Sequence, residues 1–307
     1  MEFGIQVRGT WDFVAASGRW AEERGLAAIA LPDHYLQRGD DLEAPAWDHL
    51  THIAALAVTT SDIDLVSMVS PVTFRHPAVF LKMGVTIDEI SGGRFTLGLG
   101  AGWLEEEFEV FGIPYPDLAT RMEMYEETMG YLRAAITPGP KGFQGRHFRL
   151  ADFDPHPHPI RLRLMGGGDG GPRARRIAAM YADEYNLYVR PPHAYREIRE
   201  ATRALATELG RDPDDIKWST AGPGVAALKE SDYRSMLETM AERVGRSPEY
   251  IEEAWDKRGY PHGSGSKPGE MVAALKEAGC SRFYAQVFVP DEDVSRFDLV
   301  MDAYMGR

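Results

Sequence analysis

Short apolar runs of strand length alternate with amphipathic runs of helix length along the whole 307-residue chain. The strand-like runs fall at 3–7, 26–31, 63–69, 95–99, 162–165, 184–189, 216–221 and 282–288. Helix-like runs lie near 10–24, 47–59, 77–91, 119–135, 172–181, 192–209, 232–244, 248–257, 270–278 and 294–304. A helix between two strands lets them pair in parallel, because the crossover must bridge the length of the sheet. Length alone admits two small domains or one large barrel. Eight such strands with no long or polar linker between them favour a single α/β domain over 1–307, a (β/α)8 TIM barrel. The alternation breaks once, at about 137–160, where TPGP and PHPHP bracket GFQGRHFRLADFD. Turn residues on both sides predict a hairpin-like insertion there, after the fourth of these helices.

The balance of charge narrows the partners. With a formal charge of −13 and a pI near 5.2, the chain lacks the basic surface that general nucleic-acid or anionic-membrane binding requires. Its single cysteine, Cys280, admits no internal disulfide and opens an apolar strand, so it reads as buried and inert. No apolar run approaches the roughly 18 residues of a spanning helix, and no signal-peptide pattern opens the chain. The expectation is a cytoplasmic protein whose partner is a small molecule.

In a parallel barrel the loops after the strands share one rim, and ligands sit there. The predicted strand ends bring Gln6 and Arg8, Asp33 and His34, then Ser67, Met68 and Ser70 to that rim. The fourth end, FTLGLGAGW, carries Gly98, Gly100 and Gly102 ahead of Trp103, and reads as backbone cleared for a ligand. The fifth end, LMGGGDGGPRARRIA, runs a glycine-rich turn over 166–171 into a helix, with Pro172 in its first turn and Arg173, Arg175 and Arg176 beyond. Unpaired N–H groups at such a helix start suit a phosphate. Gly166, Gly168 and Gly171 satisfy G-x-G-x-x-G, but at the fifth strand and not at the opening of a Rossmann unit. The sixth and seventh ends add Asn186, Tyr188 and Gly222. This mixture of small, polar and aromatic groups suits a flat heteroaromatic ligand better than a metal. Asp33-His34 is the best-placed pair for proton transfer, the alternative being that His34 only hydrogen-bonds its loop. His49 with His52, and His156 with His158, lack a third ligand at a recognisable spacing, so no metal site is expected. The run Glu105, Glu106, Glu107 reads as a solvated helical face.

Taken together, LPDHY at the second strand, VSPVTFRHPAVFLKMGVTIDEISGGRFTLGLGAGWLEEEFEVFGIPYP, FQGRHFRL and LMGGGDGGPRARRIAAMYADEYNLY resemble the bacterial luciferase-like superfamily. Within it they look most like the branch of coenzyme F-420-dependent oxidoreductases. The resemblance implies a barrel with an insertion and a flavin or deazaflavin across its mouth. Asp33 and His34 match positions near the ring. Ser67 and Met68 match a bulge that often holds a cis peptide behind the ring, and Ser70 a polar cofactor contact. Gly167, Gly168 and Asp169 match the region around the cofactor phosphate, although relatives often carry Lys or Arg where Asp169, Gly170 and Gly171 stand here; Gly166, Gly100 and Gly102 are further expected cofactor contacts.

The sugar-phosphate dehydrogenases of that branch have a glutamate where Trp103 stands, and a tryptophan where Gln37 or Arg38 falls, so their substrate is not carried over. The resulting expectation is hydride transfer between coenzyme F-420 and a small organic substrate, with His34 handling the proton. Trp11, Tyr35, Trp47 and Trp103 would line the substrate pocket. The rival within the same barrel is an FMN-dependent luciferase-like monooxygenase. A flavin-binding protein without turnover is a further alternative. Relatives of this kind are often dimers, which implies a homodimer.

Overall fold

The computed structural model describes residues 1–36, 45–287 and 292–307. Its elements run β1 (Glu2–Gln6), α1 (Trp11–Glu23), β2 (Ala28–Leu31), α2 (His49–Thr59), β3 (Asp64–Pro71), α3 (Pro77–Ile90) and β4 (Phe95–Gly100). Two helices follow, α4 (Glu105–Phe111) and α5 (Leu118–Ile136), then a small hairpin of β5 (Phe143–Gln144) and β6 (Arg149–Leu150). Next come β7 (Arg163–Gly168), α6 (Pro172–Tyr181), β8 (Glu184–Leu187), α7 (Pro192–Glu208), β9 (Lys217–Pro223) and β10 (Ala226–Ala227). The order ends α8 (Glu230–Val244), α9 (Pro248–Arg258), β11 (Gly263–Ser264), α10 (Lys267–Glu277), β12 (Arg282–Gln286) and α11 (Arg296–Met305).

Eight of these strands close a wholly parallel barrel in the order β1, β12, β9, β8, β7, β4, β3, β2, the predicted (β/α)8 architecture. β3, β7 and β9 outrun the apolar pattern and pass through Pro71, Gly167, Gly168 and Pro223. Pairing with the neighbouring strands, Pro71 opposite Gly100 and Gly168 opposite Leu187, extends them where side-chain burial gives no signal. Of the predicted last strand, Phe288 lies outside the described residues. The insertion is the antiparallel hairpin β5–β6, held by Glu127 of α5, whose carboxylate accepts the N–H groups of Arg146, His147 and Phe148. Among the described residues no helix is long and apolar enough to cross a membrane.

Helix starts follow their caps. Thr10, Asp48, Asp117 and Ser247 each accept a first-turn N–H at α1, α2, α5 and α9. Arg94, in the SGGRF block, donates to the carbonyls of Ala57 and Thr60 at the end of α2 and to Ile63 and Ser91. That motif therefore closes a helix terminus that would otherwise leave buried acceptors unpaired. Cys280 is buried, and burial pushes its thiol up to about 12, as an inert core residue requires.

At the amino ends of the strands the interior is ionic. Arg282 donates to Glu2 at 2.6 Å and to Asp64 at 2.8 Å, and its guanidinium lies 3.5 Å from Glu184. Arg163 reaches the same Asp64 at 2.8 Å and Thr96 at 3.0 Å. Six strands are tied together by this network, which closes the barrel floor. Above it sits a small apolar layer of Ala28, Ala30, Val66, Met68, Met165 and Tyr284.

Above that layer β3 bulges. Its register against β4 shifts between Ser67 and Ser70, and the Met68–Val69 peptide is cis. The bulge drives Val69 across the barrel towards β4 and β7. A Cβ at Gly98 would overlap the Ser67 carbonyl, and one at Gly100 or Gly167 would come within 3.0 or 2.9 Å of Val69. The glycines of FTLGLG thus clear room for the neighbouring strand, a reason the sequence pattern does not show. Gly98→Ala is expected to cost about 3 kcal/mol or to prevent folding, since the backbone cannot yield. Gly92→Ala, in open space at φ 66°, should cost only about 1 kcal/mol. Urea unfolding of both variants measures the contrast.

Candidate active site at the barrel mouth

The bulge is fixed from two sides. From β1, the Gln6 amide donates to the Met68 carbonyl at 2.6 Å, and Gln286 of β12 donates to the Gln6 carbonyl oxygen at 2.6 Å. From α2, the buried ring of His49 puts Nε2 2.8 Å from the Ser67 hydroxyl and 3.2 Å from that of Ser70. The two hydroxyls lie 3.0 Å apart. Nδ1 of His49 lies 3.0 Å from Asp33, out of good hydrogen-bond alignment, so this contact is chiefly electrostatic. Arg75 donates to the other Asp33 oxygen at 2.5 Å and also to Asp48, the cap of α2. A chain of ionic and polar contacts therefore runs beneath the mouth from Asp48 through Arg75 and Asp33 to His49. Burial alone would raise the Asp33 pKa, but His49 and Arg75 outweigh it and bring it down to about 2.

Over this base, His34 sits at the rim. Its Nδ1 is 2.9 Å from Glu107, whose carboxylate also accepts the backbone N–H of Tyr35 at 2.6 Å and of Leu36 at 3.2 Å. An ionised carboxylate only accepts, so Nδ1 carries the hydrogen and Nε2 is the atom able to take or give a proton. Glu107 is only 1% exposed, which corrects its reading as part of a solvated face. α4 is a two-turn helix whose phase turns Glu107 inward to hold the β2 loop, while Glu105 and Glu106 face solvent. A cavity at the mouth is lined by Arg8, Leu31, His34, Trp47, His49 and His52. Burial, with Arg243 adding to it, brings Arg8 down to about 10, while Glu107 acts in the opposite sense.

The aromatic candidates divide. Trp11 and Trp47 both pack on His52, at 5.8 and 6.2 Å between ring centres, and form one side of the rim. Trp103, half exposed, meets the edge of His34 at 5.8 Å on the other side. Tyr35 instead stacks on Phe74 at 4.2 Å and meets Phe111, within the aromatic packing around α4. Asp33, Ser67 and Ser70 are buried beneath the rim and engage His49, so they support the surface above them. Met68 lies in the bulge itself. Gly102, at φ 78°, turns the chain past Pro71 and Phe108. Gln37 and Arg38 lie outside the described residues.

The glycine turn after β7 opens α6 with Pro172 in its first turn, as read from the sequence. Gly166 faces the Tyr125 hydroxyl and Gly168 packs on Ala174 and Tyr185, so both are small for packing. Asp169 accepts the Gly171 N–H at 2.9 Å, and Arg190 donates to the Asp169 carbonyl at 3.1 Å. Arg173 donates to Ala119 at 3.2 Å, which ties the start of α6 to α5.

Sequence reasoning missed His49, Glu107 and Arg75 as members of one site. The signal for His49 was present in its i,i+3 spacing to His52, but only the fold shows that one ring goes under the bulge and the other to the rim. Because Asp33 titrates near 2 when folded and near 3.8 otherwise, its contribution is complete above pH 4 and is lost as pH falls towards 2. This amounts to about 2 kcal/mol. Asp33→Asn should lower stability at neutral pH by about 3 kcal/mol, by leaving the buried Arg75 guanidinium without this counter-charge. It should also flatten the acid limb between pH 4 and 2 in urea midpoints measured across that range.

Comparison with known proteins agrees with the barrel fold. The model of the family described as luciferase-like monooxygenase matches residues 4–285. A pyrimidine monooxygenase RutA from Stutzerimonas stutzeri (strain A1501) is 32% identical over 187 residues, 57% of this chain and 51% of the relative, so the chain spans about half that relative's length. Among solved structures, an F420-dependent secondary alcohol dehydrogenase in complex with an F420-acetone adduct superposes with a TM-score of 0.79 at 18% identity, over 99% of this chain and 98% of the other. Riboflavin lyase RcaE, with modified FMN and riboflavin, superposes at 0.78 and 16% identity over 98% and 90%. These two likenesses show the fold alone. Matched across its barrel from β1 to β12, the chain belongs to the luciferase-like monooxygenase family.

Proposed function

We propose that the protein is an oxidoreductase that holds the deazaflavin coenzyme F-420 at the barrel mouth and moves a hydride between it and a small organic substrate. When bound, that cofactor supplies a ring carbon able to give or accept a hydride. The residues present fit such a group. The β3 bulge offers a flat, rigid ledge at Met68 and Val69, and Gly98, Gly100 and Gly167 leave no Cβ beside it. The start of α6 from Gly168 to Gly171, with Arg173, Arg175 and Arg190 nearby, would hold the phosphate, and Asp169 would have to release the Gly171 N–H.

The observation that carries the reading is the His34–Glu107 pair. A hydride arriving at a carbonyl carbon leaves charge on oxygen, and a proton must reach that oxygen. His34, fixed at Nδ1 and lining the cavity, can deliver it from Nε2 once that nitrogen has taken a proton from solvent, and the ring then returns to its neutral Nδ1–H form. The wall of Trp11, Trp47 and Trp103 suits an apolar substrate and excludes water. The preference for a deazaflavin rests on the resemblance of the LPDHY and SGGRFTLGLGAGW blocks to that branch. The reading extends to a homodimer, as the resemblance implies, in the cytoplasm, and the acidic charge supports the lack of a nucleic-acid or anionic-membrane partner.

The likeness to the RutA monooxygenases favours a second reading, an FMN-dependent monooxygenase in the same pocket. Titrating the cofactor-free protein with coenzyme F-420 and with FMN separates them. The expected outcome is tighter binding of F-420, and turnover without oxygen uptake. His34→Gln should lower kcat by about 10²–10⁴-fold with cofactor affinity kept. Tight FMN binding with oxygen consumption would establish the second reading instead.

A further inference from the structure

We propose that Asp154, His156 and His158 form a binding site for a divalent transition-metal ion, of which zinc is the best match, on the outer surface of the barrel. The site is independent of the reading of the mouth. Its origin is local. In Asp154-Pro155-His156-Pro157-His158-Pro159 every second residue is a proline, which fixes its own φ and keeps the residue before it extended. The chain bends at His156 and Pro157, whose shared peptide is cis, and Asp154 and His158 meet across that bend with His156 beside them. The carboxylate and both imidazoles therefore converge without a helix or a strand to carry them.

The structure brings them together. An Asp154 oxygen lies 3.4 Å from Nε2 of His158 and 3.8 Å from Nε2 of His156. The three ligand atoms are all within 4.8 Å of one another. Bonds of about 2.0–2.1 Å from a tetrahedral zinc ion place its ligand atoms about 3.4 Å apart, so a small closure of the rings completes the set. Gly139 donates to the other Asp154 oxygen at 3.2 Å, which holds the carboxylate and leaves one oxygen for an ion.

Both sides of the segment are anchored. The His156 carbonyl accepts from Lys82 of α3 at 2.6 Å. Asp88 at the end of α3 accepts the N–H groups of Ile160 and Arg161 at 2.6 and 3.0 Å. Two imidazoles and one carboxylate select zinc, cobalt, nickel or copper over calcium or magnesium, which prefer all-oxygen ligands. Three protein ligands leave a fourth position for water. None of the three lines the mouth cavity, so the ion has no part in the chemistry there. Its effect is to clip the β5–β6 excursion against α3.

The test uses metal-stripped full-length protein titrated with zinc by calorimetry and with cobalt by visible absorption. One ion per chain, a cobalt spectrum of tetrahedral intensity and a higher thermal midpoint with zinc are expected. Asp154→Asn and His158→Ala should each weaken binding by at least roughly tenfold and abolish the midpoint shift. His193→Ala, at an exposed position on α7, should change neither. His156→Gln, whose side chain is 68% exposed, gives a ligand-loss variant with little risk to folding. Equal zinc affinity in all four variants, or no specific zinc uptake by the parent chain, would overturn the site.

Discussion

Val69 stands across the barrel where a regular strand would have left space, and much of the upper half of the molecule is arranged around that intrusion. The neighbouring strands give up side chains at Gly98, Gly100 and Gly167 to admit it. Gln6 and His49 secure the bulge from opposite sides, one by an amide and the other through two serine hydroxyls. Each partner is itself held, Gln6 by Gln286 and His49 by Asp33. The mouth is therefore a rigid shelf on a braced support, and positioning is what such a shelf contributes to a reaction.

A second theme is the use of carboxylates as loop anchors. Glu22 accepts three N–H groups at 61–63, Asp88 two at 160–161, Glu127 three at 146–148, and Glu107 two at 35–36. Burying a carboxylate costs free energy that hydrogen bonds to its oxygens offset, and backbone donors do this without a partner cation, at Asp88 through one oxygen only. At the rim this architecture also places a functional group. Glu107 holds its loop and in the same geometry fixes the His34 ring. The same acid thus anchors the loop and orients the imidazole at the rim.

The architecture was legible because alternation of strand and helix over eight repeats leaves few alternatives, and glycines and prolines punctuate the pattern. The site was legible only in part. His34, the β3 bulge and the turn before α6 follow from their places at strand ends and from family resemblance. Glu107 was hidden because three identical residues in a row carry no record of which one the helix phase turns inward. His49 and His52 look equivalent on one helix, yet one is buried under the shelf and the other packs with tryptophans at the rim. At the glycines of β4 the structure adds a reason the sequence could not show, the room they give Val69: a sequence shows that a side chain is missing, not what fills its place. Asp154 escaped for a related reason, since a ligand search anchored on histidine spacing ignores a carboxylate two residues upstream across a proline.

The ionic floor has a consequence for traffic. Glu2, Asp64, Arg163, Glu184 and Arg282 draw the amino ends of the strands together and fill the base of the cylinder. Among the described residues that end of the cylinder is plugged by charge, so a molecule reaching the barrel interior would come from the opposite rim, past His34 and the tryptophans.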